Sequence, residues 1–210
     1  MKKSKFGMLA LIVAVAAVGL AIVSSGFVSA AVPPALEVGK PVPDFKLKDY
    51  EGKEHSLSAA KGKIAVISFT SQHCPYSKGT EASFAKLAET YGAKDVVFYS
   101  IDSHAQTTAA EIAKYATEEN DTGKKLPYPI LKDEGNKYAD ALGATRTPEI
   151  YIVDKEGKLV YHGAIDNQKK TTDSGYKSFT QAALDEMLAG KPVSEPMHTA
   201  YGCGIKRKSA

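Results

Sequence analysis

The stretch VISFTSQHCPYSKGTEASFAKLAETYG, Val66 to Gly92, joins an apolar run to a periodic one, with one cysteine, Cys74, at the seam. The apolar run starts at Ile64. IAVISFT, Ile64 to Thr70, is β-branched and aromatic and is bounded by glycine-lysine turns, the composition of a central strand buried on both faces. After Cys74, the residues Phe84, Leu87, Ala88 and Tyr91 fall at i, i+3, i+4 and i+7, one stripe of a helix that stops at Gly92. A helix beginning at about Cys74 sets the sulfur against unpaired backbone N–H groups and the positive dipole end, which favours thiolate over thiol. Adjacent His73 adds to this when protonated. An inert structural cysteine would lie within an apolar run, whereas Cys74 stands just past one, among polar residues.

Outward from this seam, strands and helices alternate. Asp95 to Asp102 (DVVFYSID) reads as a second strand, and Thr107 to Glu119 as a helix with Ile112, Tyr115 and Ala116 facing inward. Such alternation implies parallel pairing with right-handed crossovers. Asn120 to Lys125 is a polar loop, LPYPILKD a short extended segment, and Asn136 to Ala144 a short helix carrying Tyr138 and Leu142. PEIYIVDKEGKLVYHGAI, Pro148 to Ile165, is an antiparallel hairpin around Lys155-Glu156-Gly157-Lys158. Ser178 to Gly190 closes the domain as an amphipathic helix with Phe179, Ala183, Met187 and Leu188 inward. Upstream, a strand around Phe45 to Lys48 and a turn at Glu51-Gly52 suggest a small β-hairpin.

Residues 1–30 have a basic start (Lys2, Lys3, Lys5), an apolar stretch from Gly7 to Val23 and a small-residue site, Val28-Ser29-Ala30, the pattern of a secretory signal peptide. An uncleaved membrane anchor is the alternative. No cysteine lies near the site, which excludes lipoprotein attachment. The leader carries three lysines and no acid, so a formal net charge of +3 becomes a balanced chain once it is removed, with nothing to attract nucleic acid. Lys206-Arg207-Lys208 reads as a short solubilising patch. Residues 31–38, with Pro33-Pro34, form an extended lead-in, residues 39–191 the domain, and residues 192–210 a tail without periodicity. With 43% hydrophobic and 24% charged residues, the chain has the material of a folded core.

The order of elements resembles the thioredoxin fold, an α/β architecture in which helices flank a mixed central sheet. FTSQHCPYS, Phe69 to Ser77, resembles its active-site stretch, where a strand ends and Cys-x-x-Cys opens a helix. TRTPEIYIVDKEGKLVYHG resembles the proline-hairpin segment that packs opposite. GKPVPDFKLKDYEGKEHSLSAAKGK, Gly39 to Lys63, is similar to the N-terminal hairpin of the redoxin branch, which groups alkyl hydroperoxide reductases, thiol-specific antioxidants and exported thioredoxin-like proteins. The resemblance implies an exported or periplasmic oxidoreductase that needs no dissociable cofactor and acts on protein or small-molecule thiols and disulfides, or on hydroperoxides. It also implies a cis Thr147-Pro148 bond beside the thiol, with Thr147, Pro148 and Arg146 forming the substrate groove.

The chain departs from the family at two points. Ser77 stands where thioredoxins have their second cysteine, so Cys74 has no local disulfide partner, and Ser77 can only tune the thiol. Of the peroxiredoxin motif Pro-x-x-x-Thr-x-x-Cys, Ser71 supplies the hydroxyl, but Ile67 replaces the proline; Arg146 is a candidate stand-in for the family arginine. Cys203, between Gly202 and Gly204, is the chain's only other cysteine. It can resolve the oxidised Cys74, form a permanent staple contributing about 4 to 5 kcal/mol through loop entropy, or stay free for a partner. A helix-start thiolate is a poor choice for an inert link, which favours the redox pair; GCGIK also resembles the tail of peroxiredoxin-like exported proteins. A different class remains open: a soft-metal protein holding copper through Cys74, His73, Met197, His198 and Cys203. A non-catalytic binding module is a further alternative. His55, His104 and His162 read as surface or hydrogen-bonded histidines.

Overall fold

The computed structural model describes residues 35–168 and 171–207. The leader, Pro33-Pro34 and Lys208 lie outside them.

The sheet is built round β3 (Ile64–Thr70), whose residues are buried up to Phe69. It pairs in parallel with β4 (Val96–Asp102) and antiparallel with β7 (Glu149–Val153). Successive side chains of a strand face opposite ways, and both faces of β3 are covered. Ile64 and Val66 join a core with Phe84, Leu87, Ile112 and Leu184, from α1 (Pro75–Tyr91), α2 (Ala109–Thr117) and α4 (Phe179–Leu188). Ala65, Ile67 and Phe69 join the opposite core with Tyr99, Leu131, Tyr151 and Leu142, the last from α3 (Lys137–Leu142).

Outside β4 lies β5 (Ile130–Lys132), then β1 (Lys46–Asp49) and β2 (Glu54–Ser56); outside β7 lies β8 (Leu159–Gly163). The seven-stranded order is β2-β1-β5-β4-β3-β7-β8, the mixed sheet flanked by helices that the sequence resemblance implies. The β1-β2 hairpin joins the main sheet through β1 against β5, Lys48 opposite Lys132.

Helix starts follow capping chemistry. Thr108 closes a capping box with Glu111, and the Ser178 hydroxyl accepts from the Gln181 N–H at 3.2 Å. Element boundaries shift by one or two residues from the sequence reading. Asp95 lies outside β4 in a left-handed turn, a conformation its short polar side chain tolerates. In α4 the buried residues are Thr180, Ala183 and Leu184, while Leu188 is 39% exposed. The expected inward face holds for Ala183 in the core and for Phe179 and Met187 packed against it, and fails at Leu188.

The tail without periodicity is ordered onto the domain. Its two-residue strand β9 (Cys203–Gly204) pairs antiparallel with β6 (Arg146–Thr147), Thr147 opposite Cys203. The His162 N–H donates to Pro196 O, and the His198 N–H to His162 O. Ile205 N–H donates to Thr145 O, and Lys206 O accepts from Ala105 N–H. Two glycines allow the backbones to meet. A Cβ on Gly163 would lie 1.8 Å from His198 O, and one on Gly202 would lie 2.2 Å from Thr147 O. Arg207 is no free solubilising charge: its Nε donates to Asp140 at 2.8 Å and its Nη2 to Ala144 O at 2.7 Å.

Candidate active site

The carboxyl end of β3 and the start of α1 place Cys74. Ser71 O accepts the Cys74 N–H at 2.9 Å and Ser71 Oγ accepts the His73 N–H at 3.2 Å, a turn that aims the chain into the helix. Cys74 is the N-cap, with extended backbone, and Pro75 follows where a missing N–H costs nothing. The neutral sulfur makes no cap hydrogen bond to the helix. As a thiol it donates to Thr147 O at 3.0 Å, across to the residue that precedes the cis Pro148 bond.

Cys203, brought in by β9, places its side chain within hydrogen-bond reach of the Cys74 sulfur. Both cysteines are free thiols here. Burial pushes the Cys74 thiol up. Hydrogen bonds to its thiolate from the Cys203 side chain, Thr147 and the N–H groups of Ser77 and Cys203 outweigh that, and the thiol titrates below its ordinary value. Cys203 moves the other way, to about 11, because it donates to Cys74; its own burial and the Cys74 charge act in the same direction, against Lys206 and Arg146. The two sulfurs therefore share a proton that stays on Cys203 when the first one leaves. Two of the four donors to Cys74 belong to the tail.

A cavity of about 140 Å³ adjoins the sulfurs, lined by Ser71, His73, Cys74, His104, Thr147, Cys203, Gly204, Ile205 and Lys206. The His73 and His104 rings lie 5.0 Å apart. His104 is the hydrogen-bonded histidine that the sequence allowed, its Nδ1 accepting from the Gln106 N–H at 3.3 Å. Burial depresses its pKa, Asp102 opposes this, and His73, Lys132 and Lys206 add to the depression. Behind it, Lys132 Nζ donates to Asp102 at 3.2 Å and to His104 O at 2.6 Å. Nothing in the sequence signals that His104 and Lys206 share a site, since the loop after β4 and the tail meet only in the fold.

The Ser77 hydroxyl accepts the Ser71 N–H at 3.3 Å and lines a separate small cavity with Ser68, Thr80 and Glu81. Its contribution to Cys74 is through the backbone. Arg146 is exposed, and its N–H donates to Glu149 at 2.7 Å. Glu149, missed in the sequence, is a buried anchor for this loop. Its carboxylate also accepts from Thr145 N–H at 2.8 Å, Tyr151 hydroxyl at 3.0 Å and His162 at 2.7 Å. Burial raises its pKa, but these partners win and hold it below the ordinary carboxylate range. An acid directly after a strand-starting proline was the available signal.

The five candidate metal ligands are divided between two cavities. Met197 and His198 line a second one, of about 570 Å³, with Arg146, Glu149 and His162, away from the cysteine cavity. Met197 is 64% exposed, and the His198 ring stacks on Phe179 at 3.6 Å. Among the described residues, no group of three or more His, Cys, Asp or Glu side chains is placed to hold a metal ion.

The AhpC/TSA family model matches residues 38–162. Peroxiredoxin Q, chloroplastic, of Sedum lineare is 34% identical over 149 residues, covering 62% of this chain and 72% of that protein. The thiol-disulfide oxidoreductase ResA of Bacillus thuringiensis is 28% identical over 141 residues, covering 67% of this chain and 77% of that one. Among solved structures, an uncharacterized conserved protein from Geobacillus kaustophilus superposes with a TM-score of 0.74 at 31% identity, covering 83% of this chain and 94% of the other.

Proposed function

The chain belongs to the AhpC/TSA family, and from that premise we propose that it is an exported two-cysteine thiol oxidoreductase, with Cys74 the attacking thiolate and Cys203 the resolving thiol. The observation that carries this reading is the register that sets Cys203 opposite Thr147, whose carbonyl accepts from the Cys74 thiol at 3.0 Å, so that both thiols line one cavity; the acidified Cys74 and raised Cys203 fit the roles. Export rests on the pattern of residues 1–30.

With a disulfide RSSR, the Cys74 thiolate attacks one sulfur, the S–S bond breaks, and RS⁻ leaves. Cys203 then gives up its proton and attacks the Cys74 sulfur of the mixed disulfide, expelling a second RS⁻ and closing Cys74–Cys203. The substrate gains two electrons and the cysteine pair loses two. With a hydroperoxide ROOH, the thiolate takes the terminal oxygen as the O–O bond breaks, leaving ROH once protonated; Cys203 then displaces water from the sulfenic acid. Ser71, His73 and His104 line the cavity where that leaving oxygen would take a proton. A thiol reductant returns the pair to dithiol. Its point of attack is the Cys203 sulfur, since Cys74 is then the leaving thiolate and the more acidic thiol leaves faster.

Mass spectrometry tests this directly. Reduced protein exposed to glutathione disulfide or to a hydroperoxide should lose two hydrogens and give a Cys74–Cys203 peptide pair, and Cys203→Ser should stop at a Cys74 adduct. Unmodified Cys74 after both oxidants would sink the reading.

A further inference from the structure

The tail raises a question of access. Cys74 is only 2% exposed, with Thr147 on one side and Cys203 on the other. An extended segment that carries a sulfur to Cys74 would run along Thr147, because the segment that does so here runs there, with Cys203 opposite Thr147 in antiparallel register. Adding a strand to an exposed sheet edge is a general way to bind an extended peptide. At this edge the place is taken. We propose that the tail is a built-in occupant of the strand edge beside Cys74, which makes low-molecular-weight disulfides and hydroperoxides the substrates and excludes cysteines carried on extended protein segments.

The inference rests on the proposed thiol chemistry and adds the substrate class. The occupant is firmly held. Besides the Thr147 pairing, its backbone bonds to His162, Thr145 and Ala105, Tyr201 hydroxyl donates to Asp166 at 2.6 Å, and Arg207 pairs with Asp140. An incoming protein strand would have to break several of these together, each bond contributing a net stabilisation on the order of 1 kcal/mol. A small oxidant needs none of them broken. The cavity of about 140 Å³ reaches the sulfurs from the His73, His104 and Lys206 side, and its size suits the reacting end of a small molecule rather than a chain. Gly202 is what lets the tail lie this close: at φ +116 its Cα faces Thr147 O, where a Cβ would collide at 2.2 Å. A side chain at this one position is therefore a wedge that lifts the tail while leaving the cysteines in the chain.

The experiment compares rates of mixed-disulfide formation at Cys74 with glutathione disulfide and with insulin, in full-length Cys203→Ser protein so that no resolving step follows. The ratio of the two rates is read, because it cancels changes in Cys74 acidity when the tail lifts. Glutathione disulfide should outpace insulin by roughly tenfold or more with the tail seated, and adding Gly202→Val should shrink that ratio by a similar factor. Ile205→Ser, which frees the tail from its far side, gives the same test if the glycine variant does not fold. Equal rates with the tail seated, or a ratio unmoved in the folded variants, would overturn the proposal. Reaction with neither disulfide would overturn the thiol chemistry beneath it.

Discussion

Cys74 and Cys203 carry the same side chain but are held by opposite means. Cys74 stands where a buried seven-residue strand meets a 17-residue helix, so its position follows from the two elements that build the core. Cys203 stands on a two-residue strand between glycines, and its position depends on hydrogen bonds accepted and donated by Thr145, Thr147 and Ala105. Under the proposed chemistry, rigid and borrowed placement divide the labour: the attacking thiol is set by core elements, and the resolving thiol by the backbone bonds of the tail. The acidity of the fixed thiol depends in turn on the borrowed one, which supplies two of its four donors.

The largest effect expected from breaking this asymmetry is at the fixed end. Cys74→Ser should remove turnover with any disulfide or hydroperoxide by a factor of at least about 10³, read in a coupled thiol-oxidation assay, since Cys203, the other thiol in the cavity, would have no second cysteine in the chain to resolve its adduct.

At the borrowed end, Cys203→Ser should leave the first step intact and cut turnover by roughly 10² unless an external thiol resolves the adduct. It should also move the pH midpoint of Cys74 alkylation upward. The sign follows from the hydrogen bonds: Cys74 titrates below the ordinary thiol value because donors favour its thiolate, and a weaker set favours it less. In the unaltered protein Cys74 should be alkylated before Cys203 as pH rises.

Beneath Thr147, Glu149→Gln should cost about 2 to 4 kcal/mol in denaturant unfolding, as it removes a buried charge bonded to His162, Tyr151 and two backbone N–H groups. Its pH signature is defined. The folded pKa is depressed, so its stability is present in full above the unfolded glutamate value of about 4.3 and is lost as pH falls through the lower folded value. The variant should show a flatter acid limb.

The smallest effect belongs to the tail anchors. Arg207→Ala should lower global stability by no more than about 1 kcal/mol, as its partner Asp140 is partly exposed. It should raise hydrogen exchange at the Cys203 and Ile205 amides while leaving β3 protected. Unchanged exchange there would mean that the tail is held by its backbone pairing alone.

Some of this was legible along the chain. A strand buried on both faces needs an uninterrupted apolar run, and a core-facing helix needs a 3.6-residue stripe; IAVISFT and the Phe84-Leu87-Ala88-Tyr91 series supply both, so the junction carrying Cys74 could be drawn before any coordinates existed. Ser77 in place of a second cysteine already required a partner from elsewhere. Less of the site could be read. His104 and Lys206 belong to it through contacts between segments far apart in sequence, Glu149 supports it through partners no more than 13 residues away, and Leu188 is exposed because periodicity does not say where a core ends.

What the sequence determined by itself was the position of the candidate thiol and the frame that presents it, since both arise from local pattern: a run, a stripe and a thiol between them. Only the tertiary structure decided that the tail lies along Thr147, that its cysteine meets Cys74, and that the same tail covers the thiol it activates. Those outcomes rest on backbone bonds between β6 and β9 and on a glycine's missing Cβ. Backbone bonds leave no periodic trace in side chains, and they become visible only when the chain closes on itself.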